Sequence, residues 1–379
     1  MTDEKPRYGV DAYLDWVAKE GLPVAEDFGI DLFAVATAPW PRCGDGVKAA
    51  AVHLKGRGDF ANMFVLDIAP GGAIAPQRHL YEEVVYVLEG TGSTQIESNG
   101  SKRSFEWGPR SLFAIPLNAR YRHFNGSGRA RALLVSTTDL PLVMNTFHDE
   151  RFVFETDFEF ASRAGKSAYF SGDGDLITVH PGNHMWETNF VPDLASIELK
   201  SWGDRGAGGT NIMFVLADGT MHAHISEMPV GTYKKGHRHG PGFHVMCVTG
   251  HGYSLLWYEG EKDFQRLDWK HGVVFPPADR QFHQHFNTSR FPARYLATGV
   301  GGLRYPLTMQ NRRSLLGTKP GEKGAVSTDI KEGGDQIEYE DQDKRIHSLW
   351  LDEMKKNGVT PRMEKYFPDG RAPATEAAE

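Results

Sequence analysis

Apolar positions in this chain recur in short runs with the period of a strand. From about Ala61 the sequence reads NMFVLDI, PGG, EEVVYVLEG, TGSTQIESNGS and SLFAIPL, stretches rich in β-formers set off by Gly and Pro turns. Short strands at regular spacing with turn signals between them predict an antiparallel sandwich or barrel. The two ends depart from that texture. VDAYLDWVAKEG puts Val10, Tyr13, Leu14 and Val17 at helical spacing and stops on Gly21, which predicts a short amphipathic helix. IHSLWLDEMKKNG does the same with Ile346, Leu349, Trp350 and Met354, stopping at Gly358, and its acidic entry EYEDQD favours the positive end of the helix dipole. Between Tyr305 and that helix the composition is polar, which predicts an extended, partly mobile segment; the terminal PATEAAE should fray.

The strand pattern occurs twice. The stretch from Asn62 lies over the stretch from His222 with a constant offset of 160, placing Gly71 on Gly231, His79 on His239 and Gly90 on Gly250. Later, RHFNGSGRARALL from Arg122 lies over QHFNTSRFPARYL from Gln284, now offset by 162. A duplication of this length means two copies of one barrel domain, not a solenoid. The division this suggests is an N-terminal helix and arm over 1–60, a first barrel over 61–145, a connection with leading strands over 146–209, a second barrel over 210–305 and a C-terminal extension over 306–379. His180 and His184 fall in the connection, without a paired geometry, and read as ordinary hydrogen-bonding residues.

Composition narrows the partners. A net charge of −7 with a pI near 6.2, and no sustained Lys/Arg run, argue against nucleic acid and anionic membrane surfaces. No apolar run approaches the ~18 residues of a spanning helix, and MTDEKPRYG lacks the shape of a secretory signal; a soluble, cytoplasmic protein is expected. Cys43 and Cys247 are the only cysteines and cannot form a disulfide framework in a chain this size. Cys247 reads as a small apolar packing residue. Small molecules are the expected partners.

The candidate chemistry lies in the second copy. In GTYKKGHRHGPGFHVMCVTGHG, Gly231–Gly252, His237 and His239 are spaced i, i+2, so on a strand both imidazoles point to one side. PPADRQFHQHFN, Pro277–Asn287, supplies His283 and His285 just after a Pro-rich turn. If those strands are neighbours in a barrel, one of this second pair completes a three-imidazole metal face. His222 and His224 share one face of the preceding strand and, if that face is inward, would hydrogen-bond a substrate or tune a ligand; otherwise they are polar residues of the outer face.

At these residues the chain resembles a cupin, and with two copies a bicupin. The family's first motif has Gly, five residues, His-x-His, three or four residues, Glu, six residues and Gly; the second has Gly, about five residues, Pro-x-Gly, two residues, His, three residues and Asn. Gly231, His237, His239 and Gly250 follow the first. Gly272, Pro277, His283 and Asn287 follow the second, with Asp279 in place of its Gly and one extra residue before the His. The resemblance implies an all-β chain of two tandem jelly-roll barrels with short N- and C-terminal helices, a metal held by His237, His239 and His283, and self-association into a homo-oligomer through barrels and terminal arms. The family glutamate falls at Phe243 or, with the longer spacing, at His244, so the site is either three-His or four-His. His244 is then an optional ligand or a proton-handling neighbour. His285 shares the strand phase of His283 and matches His123 in the first copy, so part of its role is structural. In the first barrel the motif reads Gln77-Arg78-His79, and Tyr121 stands where His283 stands. His79, Glu83 and His123 are a thin set, and this copy reads as scaffold or oligomer contact.

Three-His sites without the glutamate resemble those of the ring-cleaving dioxygenases acting on gentisate, salicylate and 1-hydroxy-2-naphthoate, which carry the complete site in the first cupin, whereas here it is in the second. Three neutral imidazoles leave the full charge on a divalent ion and about half its coordination sphere open, which suits Fe(II) with an anionic chelating substrate and dioxygen. The expected activity is a metal-dependent oxygenase on a small anionic, aromatic hydroxyacid. A Zn, Mn or Ni hydrolase, lyase or isomerase and a non-catalytic ligand-binding bicupin are the alternatives. No organic cofactor is expected, since neither GxGxxG nor a Walker loop is present. Arg280 and Arg304 are candidates to hold a substrate carboxylate, Gln281 and Gln284 to orient substrate or water, His244 and His285 to move protons, and Trp257 and Tyr258 to form an aromatic wall.

Overall fold

The computed structural model describes residues 8–56, 60–98, 100–180, 182–240, 243–319 and 321–368; the terminal stretch expected to fray lies outside them. The chain forms two jelly-roll barrels, each a large sheet closed by a smaller one. In the first, an eight-stranded sheet faces the three strands Gly92–Ser98, Ser101–Trp107 and Arg120–Asn125. In the second, a nine-stranded sheet faces a five-stranded one centred on His251–Trp257 and Phe282–Asn287. Among the described residues no helix is long and apolar enough to cross a membrane.

The large sheets pack back to back. Val65, Val84 and Leu133 from one and Phe214, Ile225 and Leu296 from the other share a single apolar core, and the hydroxyls of Thr137 and Thr298 hydrogen-bond across it at 2.8 Å. Each leading arm crosses to the other barrel. Ile30 of the N-terminal arm pairs with Val274, and Phe190 of the connection pairs with Phe113. Each arm thereby covers an edge strand that would otherwise present unpaired backbone groups.

The two barrels are filled differently. Trp16, Trp40, Phe64, Phe105 and Phe113 fill the first. Helix Ala12–Glu20, which starts on the Asp11 cap and stops on Gly21 in the left-handed conformation, contributes Tyr13, Trp16 and Val17 to that core, while Val10 and Leu14 of the anticipated stripe are exposed. The real stripe is centred on Trp16, whose large ring gains more from burial than Leu14. The C-terminal helix Lys344–Asn357 ends as expected on Gly358 and buries Ile346, Trp350 and Met354 against Tyr253, Leu255 and Phe286 on the outer face of the small sheet. His347 takes the place anticipated for Leu349, which is exposed.

The polar stretch before that helix is packed, contrary to the expectation of a mobile segment. Gln336–Ile337 pairs with Gly236–His237, Ala325, Val326 and Tyr339 are buried, and Asp335 holds Arg238 at 3.2 Å and Arg280 at 2.6 Å. Leu315, Ala325, Val326 and Tyr339 are buried at contacts, so average polarity understated its order.

The asparagine that closes the second motif is a turn clamp in both copies. Asn287 donates to the carbonyls of Met228, Pro229 and Phe291 at 2.9 to 3.2 Å, and Asn125 donates to those of Ile68, Ala69 and Ala130. Asn287→Ala would strand three carbonyls that a fully buried amide now satisfies, and is expected to cost about 2 to 4 kcal/mol. Urea denaturation reads this, and an unchanged midpoint would refute the clamp.

Candidate metal centre

Strand pairing brings the three predicted ligands together. His237 lies directly opposite His283 in the antiparallel register, with ring centroids 4.1 Å apart, and the His239 ring stands 4.7 Å from that of His283. One ring nitrogen from each residue lies within 4.8 Å of the other two, and among the described residues no other set of His, Cys, Asp or Glu side chains converges in this way.

Two of the rings are oriented by backbone carbonyls. Nδ1 of His239 is 2.8 Å from the Gly240 oxygen and Nδ1 of His283 is 3.0 Å from that of Gln281. A carbonyl can only accept, so Nδ1 carries the hydrogen and Nε2 keeps its lone pair for a ligand. Nδ1 of His237 is buried with no partner, which is the condition of a ring whose counterpart is an ion or a water molecule. Burial holds all three imidazoles neutral, pushing His239 down to about 4 and the other two well below their ordinary value. Three neutral nitrogen donors that converge in a buried pocket fit a divalent first-row cation.

The triad opens onto a small cavity. Met213, Phe243, Val245 and Leu315 give it apolar walls, and His222, His224, His285 and Tyr295 line it as well. No carboxylate is among its lining residues. His222 and His224 therefore face inward, hydrogen-bonded to each other at 2.7 Å. Phe243 settles the fate of the family glutamate: its ring packs 4.7 Å from that of His239, and an apolar side chain occupies the place of a ligand.

The family model described as Cupin matches residues 49–201, the region of the first barrel and the connection, and the same jelly roll recurs in the second half. The fold is that of a bicupin. Similar solved structures include vicilin from hazelnut, Corylus avellana (TM-score 0.46, 11% identity, 72% of this chain and 85% of that one). Others are a variant oxalate decarboxylase of Bacillus subtilis (0.47, 12%, 79% and 86%) and the formate complex of Lactobacillus farciminis oxalate decarboxylase (0.49, 12%, 77% and 90%). Among curated proteins none matches the sequence.

Not every site residue expected from the sequence reaches the centre of the second barrel. His244 is a correction: Phe243 and Val245 line the cavity, so strand alternation turns His244 to the opposite face, beside Thr298 and the other barrel. Gln284 is another. It lies between His283 and His285 and points outward, where its amide donates to the Lys234 carbonyl and to Gln342 at 2.8 and 3.0 Å. Arg280 stands outside the triad and is held by Asp335, while Arg304 is engaged by Glu187 and Asp218 at 2.5 to 2.8 Å. Gln281 bonds back to Ala278, Trp257 packs under the C-terminal extension, and Tyr258 is exposed. Cys247 is buried, its thiol raised to about 12 by that burial, as suits a packing residue.

His285 does face the cavity, and its orientation has a built cause. Trp269 Nε1 donates to Ser254 Oγ at 3.0 Å, and that hydroxyl lies 2.7 Å from His285 Nδ1. The serine hydrogen has Nδ1 as its acceptor, which leaves Nε2 protonated as a donor. The first barrel repeats the device with Trp107, Thr94 and His123 at 2.9 and 2.8 Å. The alignment of His285 with His123 in the two repeats carries the signal of this shared device.

Where the second barrel has its triad, the first has a closed hydrogen-bonded cluster. Glu83 accepts from Tyr121 at 2.8 Å and from Ser136 at 2.5 Å, and His79 lies 3.2 Å from the same carboxylate. Burial alone would raise the Glu83 carboxyl, but hydrogen bonding and charge from His79 hold it down at about 2. The polar atoms satisfy one another, in contrast to the unpartnered nitrogen of His237.

Proposed function

We propose that this bicupin is a mononuclear metal-dependent enzyme of the oxygenase type, acting on a small anionic substrate with an apolar, aromatic body. One observation carries the reading: three neutral imidazoles converge on a cavity that contains no carboxylate, because Phe243 fills the place where one would stand. A metal ion held there by His237, His239 and His283 would supply Lewis acidity and, as Fe(II), electrons for dioxygen. The chain's own residues do the rest. Phe243, Val245 and Met213 exclude water and leave room for a flat apolar body. His285, with its N–H fixed by Ser254, donates a hydrogen bond to an oxygen of the ligand, and the His222–His224 pair offers a route for a proton. These same proton-handling groups favour a second reading, a non-redox lyase or isomerase on Zn or Mn.

Element analysis of anaerobically purified protein, followed by oxygen uptake with salicylate, gentisate and 1-hydroxy-2-naphthoate, separates the two. About one iron per chain and substrate-dependent uptake with loss of the aromatic ultraviolet band are expected. A stoichiometric metal without oxygen demand on any of the acids would favour the second reading, and absence of metal would end both.

A further inference from the structure

The interior of the second barrel carries two buried cations that no carboxylate contacts directly. Arg205 is 4% exposed and Lys234 is 2% exposed, and among the described residues neither forms an ion pair with a carboxylate. The half-buried arginines nearby are paired: Arg238 has Asp335 and Glu259, and Arg294 has Glu227. An unpaired charge taken out of water is costly, so an uncompensated pair is retained where something else brings the opposite charge.

Arg205 lines the same cavity as the triad. Its Nη1 donates to the Val326 carbonyl and to Gln336 Oε1, which anchors one edge of the guanidinium, and the remaining N–H groups have no protein acceptor among the described residues. Burial lowers the group to about 10, so it stays a cation at neutral pH. Its field reaches the rings of His237, His239, His283 and His285. Lys234 Nζ lies 5.1 Å from the ring centroid of Tyr295, which lines the cavity. The backbone fixes the two relative to each other, since Gly206 bridges to Lys234 and the Lys235 N–H donates to the Arg205 carbonyl at 3.1 Å. That approach requires Gly206, at φ +139°, where a Cβ would stand 2.9 Å from the Lys234 Cα and 2.7 Å from the Tyr339 hydroxyl.

We propose that Arg205, backed by Lys234, is the anion-binding subsite of this cavity, taking the carboxylate of a small organic acid whose other end reaches the histidine triad. This rests on the metal-centre reading for the far end of the ligand, but the carboxylate subsite stands on Arg205 and Lys234 whether or not a metal is held. It gives the role foreseen for Arg280 to a residue outside both sequence motifs. A guanidinium with one edge anchored presents its free edge as a fixed fork, which matches a carboxylate and not an amide of the same shape.

The test is calorimetric titration of the full chain, metal-free and cobalt-loaded, with benzoate and with its neutral isostere benzamide. Wild-type protein is expected to prefer benzoate in both states. Arg205→Gln should weaken benzoate roughly 10- to 100-fold, leave benzamide and cobalt stoichiometry unchanged, and be partly restored by Arg205→Lys. Equal binding of the two probes by the wild type, or an unchanged benzoate affinity in Arg205→Gln, would overturn the subsite. Should Arg205→Gln fail to fold through loss of its Val326 and Gln336 contacts, Lys234→Met decides: a several-fold weaker benzoate affinity supports the proposal, and an unaltered one overturns it. Preference for benzoate in a protein that takes up no cobalt would sink the metal reading and leave the subsite standing.

Discussion

His237→Ala should strip the second barrel of its metal while leaving the fold intact. The residue supplies one of three converging nitrogens, and a cation left with two imidazoles and water loses the chelate that holds it. A fall in affinity of at least roughly 100-fold is expected, since removing even the groups that merely orient a ligand costs 10- to 100-fold. The cost to folding should be small. His237 Nδ1 has no hydrogen-bond partner, so alanine removes an unsatisfied polar atom along with its ring packing. His79→Ala, the aligned change in the first barrel, should leave metal content untouched. Metal analysis of the two variants beside their circular dichroism checks this, and stoichiometric metal in His237→Ala would refute the ligand assignment.

The second large effect is acid lability. Burial depresses His123 and His347 to about 4 and His222 and His285 to about 3, against an unfolded value near 6.5. Below 6.5 the unfolded chain binds protons that the fold refuses, so stability falls with falling pH down to those lower values. Asp139 acts in the opposite sense: burial raises it to about 8, so between about 4 and 8 the fold holds a proton the unfolded chain has released, and acidification restores that stability. These four histidines against one aspartate leave a net of three protons, a slope of about 4 kcal/mol per unit between pH 5 and 6, and His224, which burial also depresses, steepens it. In metal-free protein the triad adds to it. Below about 4.5 the loss continues, because Glu83, held at about 2, must also be protonated. Urea midpoints at pH 7, 6 and 5 measure the effect, and a flat profile across that range would show that these histidines titrate normally in the fold.

The duplication, the jelly-roll class and the three converging imidazoles were legible in the chain because each depends on local spacing. An i, i+2 pair on a strand shares a face wherever that strand lies, and an offset between repeats survives any packing. The same alternation that aligned His283 with His285 also turned Gln284 outward. His244 resisted reading because one residue of register separates a ligand position from the inter-barrel face, and the spacing of the family motif allowed either phase. Arg205 left no trace at all. It precedes the second barrel in a short turn, and nothing nearby in sequence says that Lys234, Gln336 and Val326 will gather around it.

What the sequence alone determined here is therefore a set of strands, their repetition and the imidazoles that share a face. Which cation stands unpaired, which candidate arginines are neutralised by Asp335, Glu187 and Asp218, and which barrel keeps an open interior were decided only when distant segments packed together. Charge compensation and cavity shape depend on neighbours in space, and a strand's own residues do not specify what closes over them.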